Sequence, residues 1–332
     1  MNVQEKTVEQ PGKQQITILG KPLVETVVAF GPLLGIIIFT IFMAIAAPRF
    51  LALRNIVNIL YHASIFIVLA VGMTFVITGG GIDLSVGSTL ALSGVLMCFY
   101  IKFTDYPPIL GLFIAPIAGA LLGAFNGLVI VKLRLPDFIA TIATMIGYRG
   151  IVLIMAGGYS MYAFPPEVIF LGKYRLFDIL PISIIIAFLV AAFGHFLYKR
   201  TMFGRYTIAM GGNKKAAIMS GIKVDKYKIL NFAFMGLLAG LAGILTIGRL
   251  DAFHATYGNL MEIDTIAAVI IGGTYLYGGI GKIWGSIGGA ILLAMVTNGM
   301  VVLGLPYFYQ YVAVAVVIIL AVSLYTLSGK RV

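Results

Sequence analysis

The stretch VNILYHASIFIVLAVGMTFVIT, Val57 to Thr78, runs for 22 residues without an Asp, Glu, Lys or Arg. About 20 apolar residues carry a helix across the hydrocarbon core of a bilayer, so this segment predicts a membrane span. GGGIDLSVGS follows, Gly79 to Ser88; its three glycines end the helix, and a new apolar run begins at once. Outward from this pair, runs of the same kind lie near residues 23–47, 57–78, 84–101, 109–131, 138–156, 179–197, 229–250, 264–278, 285–304 and 308–326. Strands of a membrane barrel alternate apolar and polar residues at period two; these runs are continuously apolar. The expectation is an all-α polytopic membrane protein of about ten transmembrane helices. Eight is the lower bound, because the segments at 84–101 and 264–278 are short and flanked by glycine, as broken helices are.

Composition agrees. Of 332 residues, 61% are hydrophobic and 11% charged, with a mean hydropathy of +1.05, whereas roughly 25% of a soluble domain is charged. A soluble fold of this size would lack the polar surface to cover itself. Residues 1–22 are mostly polar and have no apolar signal-peptide core. They are expected to form a cytosolic tail ahead of a single membrane domain over 23–328. Cys98 is the one cysteine, which excludes a disulfide within the chain.

A net charge of +11 would suit nucleic acid, but the placement of the charges argues against that partner. With ten spans and a cytosolic N-terminus, 16 of the 23 Lys and Arg residues fall inside and 5 outside, with Arg149 and Arg249 within spans. An excess of Lys and Arg marks cytoplasmic loops, so both termini are expected in the cytosol.

Two stretches echo each other: GALLGAFNGLVIVKLRLPDF, Gly119 to Phe138, and GAILLAMVTNGMVVLGLPYF, Gly289 to Phe308. Each reads small and apolar, then Asn-Gly, then an apolar run, then Leu-Pro-x-Phe. Each follows a glycine-rich break, Thr78 to Ser88 and Ile271 to Ser286. The matched helices are the fourth and the ninth, five spans apart, so they run in opposite directions. This predicts two inverted repeats, about 57–156 and 229–326, an architecture shared by many transporters.

In the first break, Asp83 stands just before a new apolar run, where a carboxylate caps backbone N–H groups. An acid at membrane depth equally marks a solute path or a partner contact, and all three readings stay open here. In the second break, Gly281-Lys282 falls short of a phosphate-binding loop. Leu276 stands where the leading glycine belongs and Ile283 where Ser or Thr belongs.

Residues 199–228 form the largest charged loop. Gly211-Gly212-Asn213 predicts a break and an N-cap, Lys214 to Ser220 a short helix containing Ala216 and Ala217, and Gly221 its left-handed terminus. Ile222 follows as an apolar anchor, and Asp225 is placed to cap the next span. Such a helix lies along the membrane and offers a small, partly apolar face to the cytosol. His62, His195 and His254 are scattered, with no metal-ligand spacing, and read as packing or interfacial residues. Outer loops hold His254, Glu262 and Asp264, and Glu167, Lys173, Arg175 and Asp178, which suit contact with a charged partner.

GMTFVITGGGIDLSVGS (Gly72 to Ser88), GRYTIAMGGNKKAAIMSGIKV (Gly204 to Val224) and EIDTIAAVIIGGTYLYGGIGKIWGSIGGAI (Glu262 to Ile291) resemble the permease subunits of bacterial ABC importers for simple sugars, the ribose, galactose and xylose group. The resemblance extends from about residue 50 to near the C-terminus. It departs at Tyr275-Leu276-Tyr277, where many members carry smaller residues. It implies a multi-pass protein of the bacterial inner membrane that is not itself an enzyme and binds no cofactor. ATP is used by a cytosolic ATPase partner. A periplasmic sugar-binding protein, a second permease copy or related chain, and membrane lipid complete the set of partners. The coupling loop to the ATPase would comprise Gly211, Gly212, Asn213, Ala216, Ala217, Ser220, Gly221 and Ile222. The sugar path would be lined by polar groups near the midplane; Asp83, Ser85, Asn126, Thr141, Thr144, Tyr148 and Asn298 are candidates by position. Ribose is the first expectation for the sugar, with other pentoses, hexoses and the furanose signal autoinducer-2 open. An ion-coupled secondary transporter of a small polar solute is the alternative, with Asp83 as its candidate coupling acid.

Overall fold

In an apolar setting the backbone has no solvent partner and must bond to itself, and the apolar runs are accordingly helical over most of their described residues. The computed structural model describes residues 17–18, 21–22, 31–306 and 308–327, so the expected N-terminal tail lies almost wholly outside the described residues. The helices are α1 (Gly31–Ala46), α2 (Leu53–Thr78), α3 (Val86–Phe103), α4 (Gly111–Leu133), α5 (Asp137–Ala156), α6 (Pro166–Lys173), α7 (Ile182–Arg200), α8 (Met202–Gly212), α9 (Lys214–Met219), α10 (Val224–Leu250), α11 (Met261–Ile271), α12 (Ile283–Val302) and α13 (Phe308–Leu327). Seven of them, α2, α3, α4 with its leading turn, α5, α7, α10 and α12, are long and apolar enough to cross a membrane. Helix α11 stops at Ile271 rather than near residue 278, because Gly272 and Gly273 follow and Gly273 turns into the left-handed region. The only strands among the described residues are two-residue ladders, of which one joins the segments after α5 and α10: Met161 pairs with Phe253 and Tyr162 with Ala252.

Helices α2 and α10 form the centre. From Ala63 to Thr78 nearly every side chain of α2 is buried. Helix α10 lies against α4 through small residues at four-residue spacing, Gly119, Gly123 and Gly127 on one side and Gly236 and Gly240 on the other. A Cβ at Gly119 would collide with the Gly236 carbonyl, and one at Gly123 with the Phe232 carbonyl. Membrane helices associate where small residues let backbones approach this closely. Helix α12 meets α11 in the same manner, Gly289 against Ala268 and Gly285 against Gly272. The packing pairs recur in the two halves: α4 on α10 and α12 on α2, α3 on α4 and α11 on α12, α3 on α5 and α11 on α13. Outward faces carry large apolar side chains such as Ile38, Ile45, Leu121, Ile146 and Ile154, all exposed, as lipid contact requires.

The two glycine-rich breaks occupy different places in this arrangement. Thr78 to Ser88 joins α2 to α3, whereas Ile271 to Ser286 joins α11 to α12. They do not correspond by order; they touch. The Gly279 amide donates to the Thr78 carbonyl at 2.8 Å. The segment that matches Thr78 to Ser88 by order is 251–260, between α10 and α11, which the apolar pattern had marked only as an outer loop.

Candidate functional site

The start of α3 is tied by a chain of buried polar groups. Asp83 Oδ1 accepts from the Ser85 amide at 2.9 Å and from Ser85 Oγ at 2.7 Å. Asp83 therefore shapes the turn into the helix through an Asx-type contact and does not cap the first-turn amides. Asn126 Nδ2 donates to Ser85 Oγ at 2.7 Å, and Tyr148 Oη lies 3.0 Å from both Asn126 Oδ1 and the Leu122 carbonyl, which share its one proton. Thr141 Oγ1 bonds the Asp137 carbonyl at 2.9 Å and reaches the Ile82 carbonyl at 3.3 Å. Asp83, Ser85, Asn126, Thr141 and Tyr148 are all buried. The structure thus brings five of the expected path residues together, as a link between α3, α4 and α5. Thr144 bonds within its own helix. Asn298 lies elsewhere, exchanging hydrogen bonds with Asn55 of α2 at 2.9 and 3.1 Å.

The loop at 199–228 contains the expected helix and one more. Asn213 accepts from the Ala216 amide at 3.0 Å and caps α9. At the other end the Gly221 amide bonds Ile218 O and the Ile222 amide bonds Ala217 O, at 2.9 and 3.0 Å, with Gly221 at φ +80°. This is the Schellman arrangement. Residues 202–212, whose apolar content was too broken to single out, form α8. Asp225 lies in the first turn of α10, where Lys223 is the N-cap residue, so it favours the helix dipole and makes no cap. Ala217 turns inward against Met210 and Val224, Ile222 is half-buried, and Asn213, Ala216, Ser220 and Gly221 face outward. The strongest apolar exposure in the loop belongs to Ile218, at 55%, and Met219, at 88%; neither is among the coupling residues expected from the sequence.

Gly211 connects this loop to the membrane helices. A Cβ there would strike the Thr78 carbonyl and come within 2.7 Å of the Gly279 amide. Gly80 and Gly278 crowd the same point. The 199–228 loop and both glycine-rich breaks therefore meet backbone to backbone. Nearby, Lys228 at the base of α10 pairs with Asp137 in the first turn of α5 at 2.7 Å.

On the opposite side of this junction, a cavity of about 1160 Å³ opens between α2, α5, α10, the 256–260 segment and α11. Its polar lining includes His62, Arg149, Arg249, Asn259 and Glu262, with Tyr257 and Tyr311. Arg149 Nη1 donates to the Ala255 and Tyr257 carbonyls at 2.6 and 2.8 Å, fixing the segment that leads into α11. The Arg249 guanidinium lies 4.3 Å from the centre of the Tyr61 ring. Glu262, expected in an exposed loop, is buried in the first turn of α11 because the chain folds back inward before the helix starts. There Gly258 meets Gly87, and a side chain at either would collide with the other's carbonyl. None of the expected path residues lines this cavity. An arginine inside a predicted span was the one sequence signal that pointed to it.

Residues 55–322 match the sequence model of a family described as branched-chain amino acid transport system / permease component. The chain belongs to this permease family. The ribose import permease protein RbsC of Bacillus subtilis (strain 168) is 41% identical over 300 residues, 89% of this chain and 91% of that one. That of Escherichia coli (strain K12) is 37% identical over 293 residues, 87% and 91% of the two chains. The xylose transport system permease protein XylH of Escherichia coli (strain K12) is 31% identical over 342 residues, covering 85% and 87%. The resemblance read from the glycine break and the capped loop of the permease is borne out by these relatives. No solved structure matches.

Proposed function

We propose that the permease is the membrane-spanning subunit of an ATP-driven importer in the bacterial inner membrane. It moves a simple sugar, ribose foremost, delivered by a periplasmic binding protein. ATP hydrolysis belongs to a separate cytosolic subunit, and a second permease copy or related chain completes the translocator. Ten spans with both termini in the cytosol fit the charge distribution, and the recurrence of packing pairs between the halves supports two inverted repeats.

The observation that carries the mechanism is the meeting of Gly211 with Thr78 and Gly279. Helix α9 offers Ile218 and Met219 to a partner on the cytosolic side. A push on α9 passes through α8 to the junction, which sits at the end of α2 and in the 272–282 segment that joins α11 to α12. ATP-driven closure of the partner subunits would in this way rock the helices and expose the central space to one side and then the other.

The test is to purify the tagged permease in mild detergent from its native host. An ATP-binding protein should come with it, and Gly221→Arg or Ile218→Asp should remove that protein while the permease still accumulates. A chain that comes out alone and moves solute in vesicles under an ion gradient would sink the importer reading in favour of an ion-coupled transporter.

A further inference from the structure

We infer that His62 is a specificity-determining residue for the solute in transit, offering a ring nitrogen to a hydroxyl of a neutral polyol in the outer cavity. The inference rests on the importer reading above. His62 stands on α2 in a setting built for an apolar ring. Its neighbour Ile65 lines the same cavity, and Phe66 lies 5.6 Å away, ring centre to ring centre. Neither ring nitrogen has a hydrogen-bond partner among the described residues, and Nδ1 is closed off from solvent. An unmet polar atom in such a place is unfavourable, and a phenylalanine would pack there without that penalty. Nδ1 is sealed from a guest as well as from solvent, so Nε2 is the ring nitrogen that something entering the cavity can reach.

The cavity suits a neutral, many-hydroxylated guest. A hydroxyl both donates and accepts, so it suits the imidazole in either tautomer. In the same cavity lining Arg149 holds donors beyond the Nη1 already used, the exposed Asn259 carries a carboxamide, and the Glu262 carboxylate can accept. Groups of both charge signs line the space, which favours hydrogen bonding over the capture of an ion. At about 1160 Å³ it exceeds the 300–1,000 Å³ range of tight ligand sites. It is a wet transit chamber in which one directed hydrogen bond counts.

The test uses the complete importer, with its ATPase and binding protein, in proteoliposomes. Uptake of ribose is compared with that of its singly deoxygenated analogues for the parent and for His62→Leu, His62→Phe and His62→Gln. The binding protein is the same throughout, so its own preferences cancel in the ratio of ratios. For one deoxy position, the parent's preference for ribose should fall roughly fivefold to tenfold in His62→Leu and His62→Phe, and His62→Gln should retain it. Uptake that changes by one common factor for every sugar would mean that His62 only packs, and would overturn the inference. A parent complex that takes up neither ribose nor any other pentose or hexose removes the importer reading itself, and this inference with it.

Discussion

Two helices start inside the protein and not at its edge, α3 at Val86 and α11 at Met261, and the two starts are built in opposite ways. Ahead of α3 the left-handed position is Gly80, and the polar groups are closed on one another: Asp83 on Ser85, Ser85 on Asn126, Asn126 on Tyr148. Ahead of α11 two positions are left-handed, Gly258 at φ +80° and Leu260 at φ +63°; Leu260 is half exposed, and there a Cβ is strained. Its polar groups, Asn259 and Glu262, line a cavity. The first start is a settled joint. The second keeps strain and unmet hydrogen-bonding capacity, a combination that gathers at working sites.

Breaking the contact between the two starts should have the largest effect. Gly258→Val places a β-branched residue at φ +80° and drives its Cβ into the Gly87 carbonyl, which costs upward of about 3 kcal/mol. The expected outcome is loss of monodisperse permease on fluorescence-detected gel filtration. Normal accumulation would show that the two starts do not touch.

Arg149→Met comes next, and it acts on the α11 side alone. It removes two hydrogen bonds to the 255–257 segment. Uptake should drop about tenfold, in line with about 1.4 kcal/mol of lost ordering, with the ATPase still co-purifying. Unchanged uptake would detach this arginine from the working site.

On the α3 side, Asn126→Ala should lower thermal stability in detergent by about 1–2 kcal/mol, because Ser85 and Tyr148 each lose a buried partner. Sugar preference should stay as it is. A shift in preference among sugars would bring the joint into the path after all. The smallest effect is expected from Leu260→Gly, a stabilisation of about 1 kcal/mol by release of left-handed strain. A lower melting temperature would contradict the strain at this start.

Much of the cytosolic loop was legible in the sequence because its determinants are local. Asn213 caps the helix through the amide three residues on, and Gly221 closes it two residues past its end. The glycine break at Gly79 to Gly81 was legible for the same reason. Asn126, Tyr148 and Asn298 were read as path residues from their depth alone. Their partners are Ser85, Leu122 and Asn55, residues that no short-range pattern connects to them. His62 read as a packing residue because its solitary state is visible only once its neighbours are in place.

By itself the sequence determined the apolar helices, their interruption by glycine and the capped loop, because backbone self-bonding, glycine's conformational range and capping all operate within a few residues. The tertiary structure alone decided which polar groups satisfy one another and which are left facing a cavity. It also decided that two glycine-rich breaks and Gly211 share one point. These are distances between residues up to 243 positions apart in the chain, and they exist only after the helices have packed.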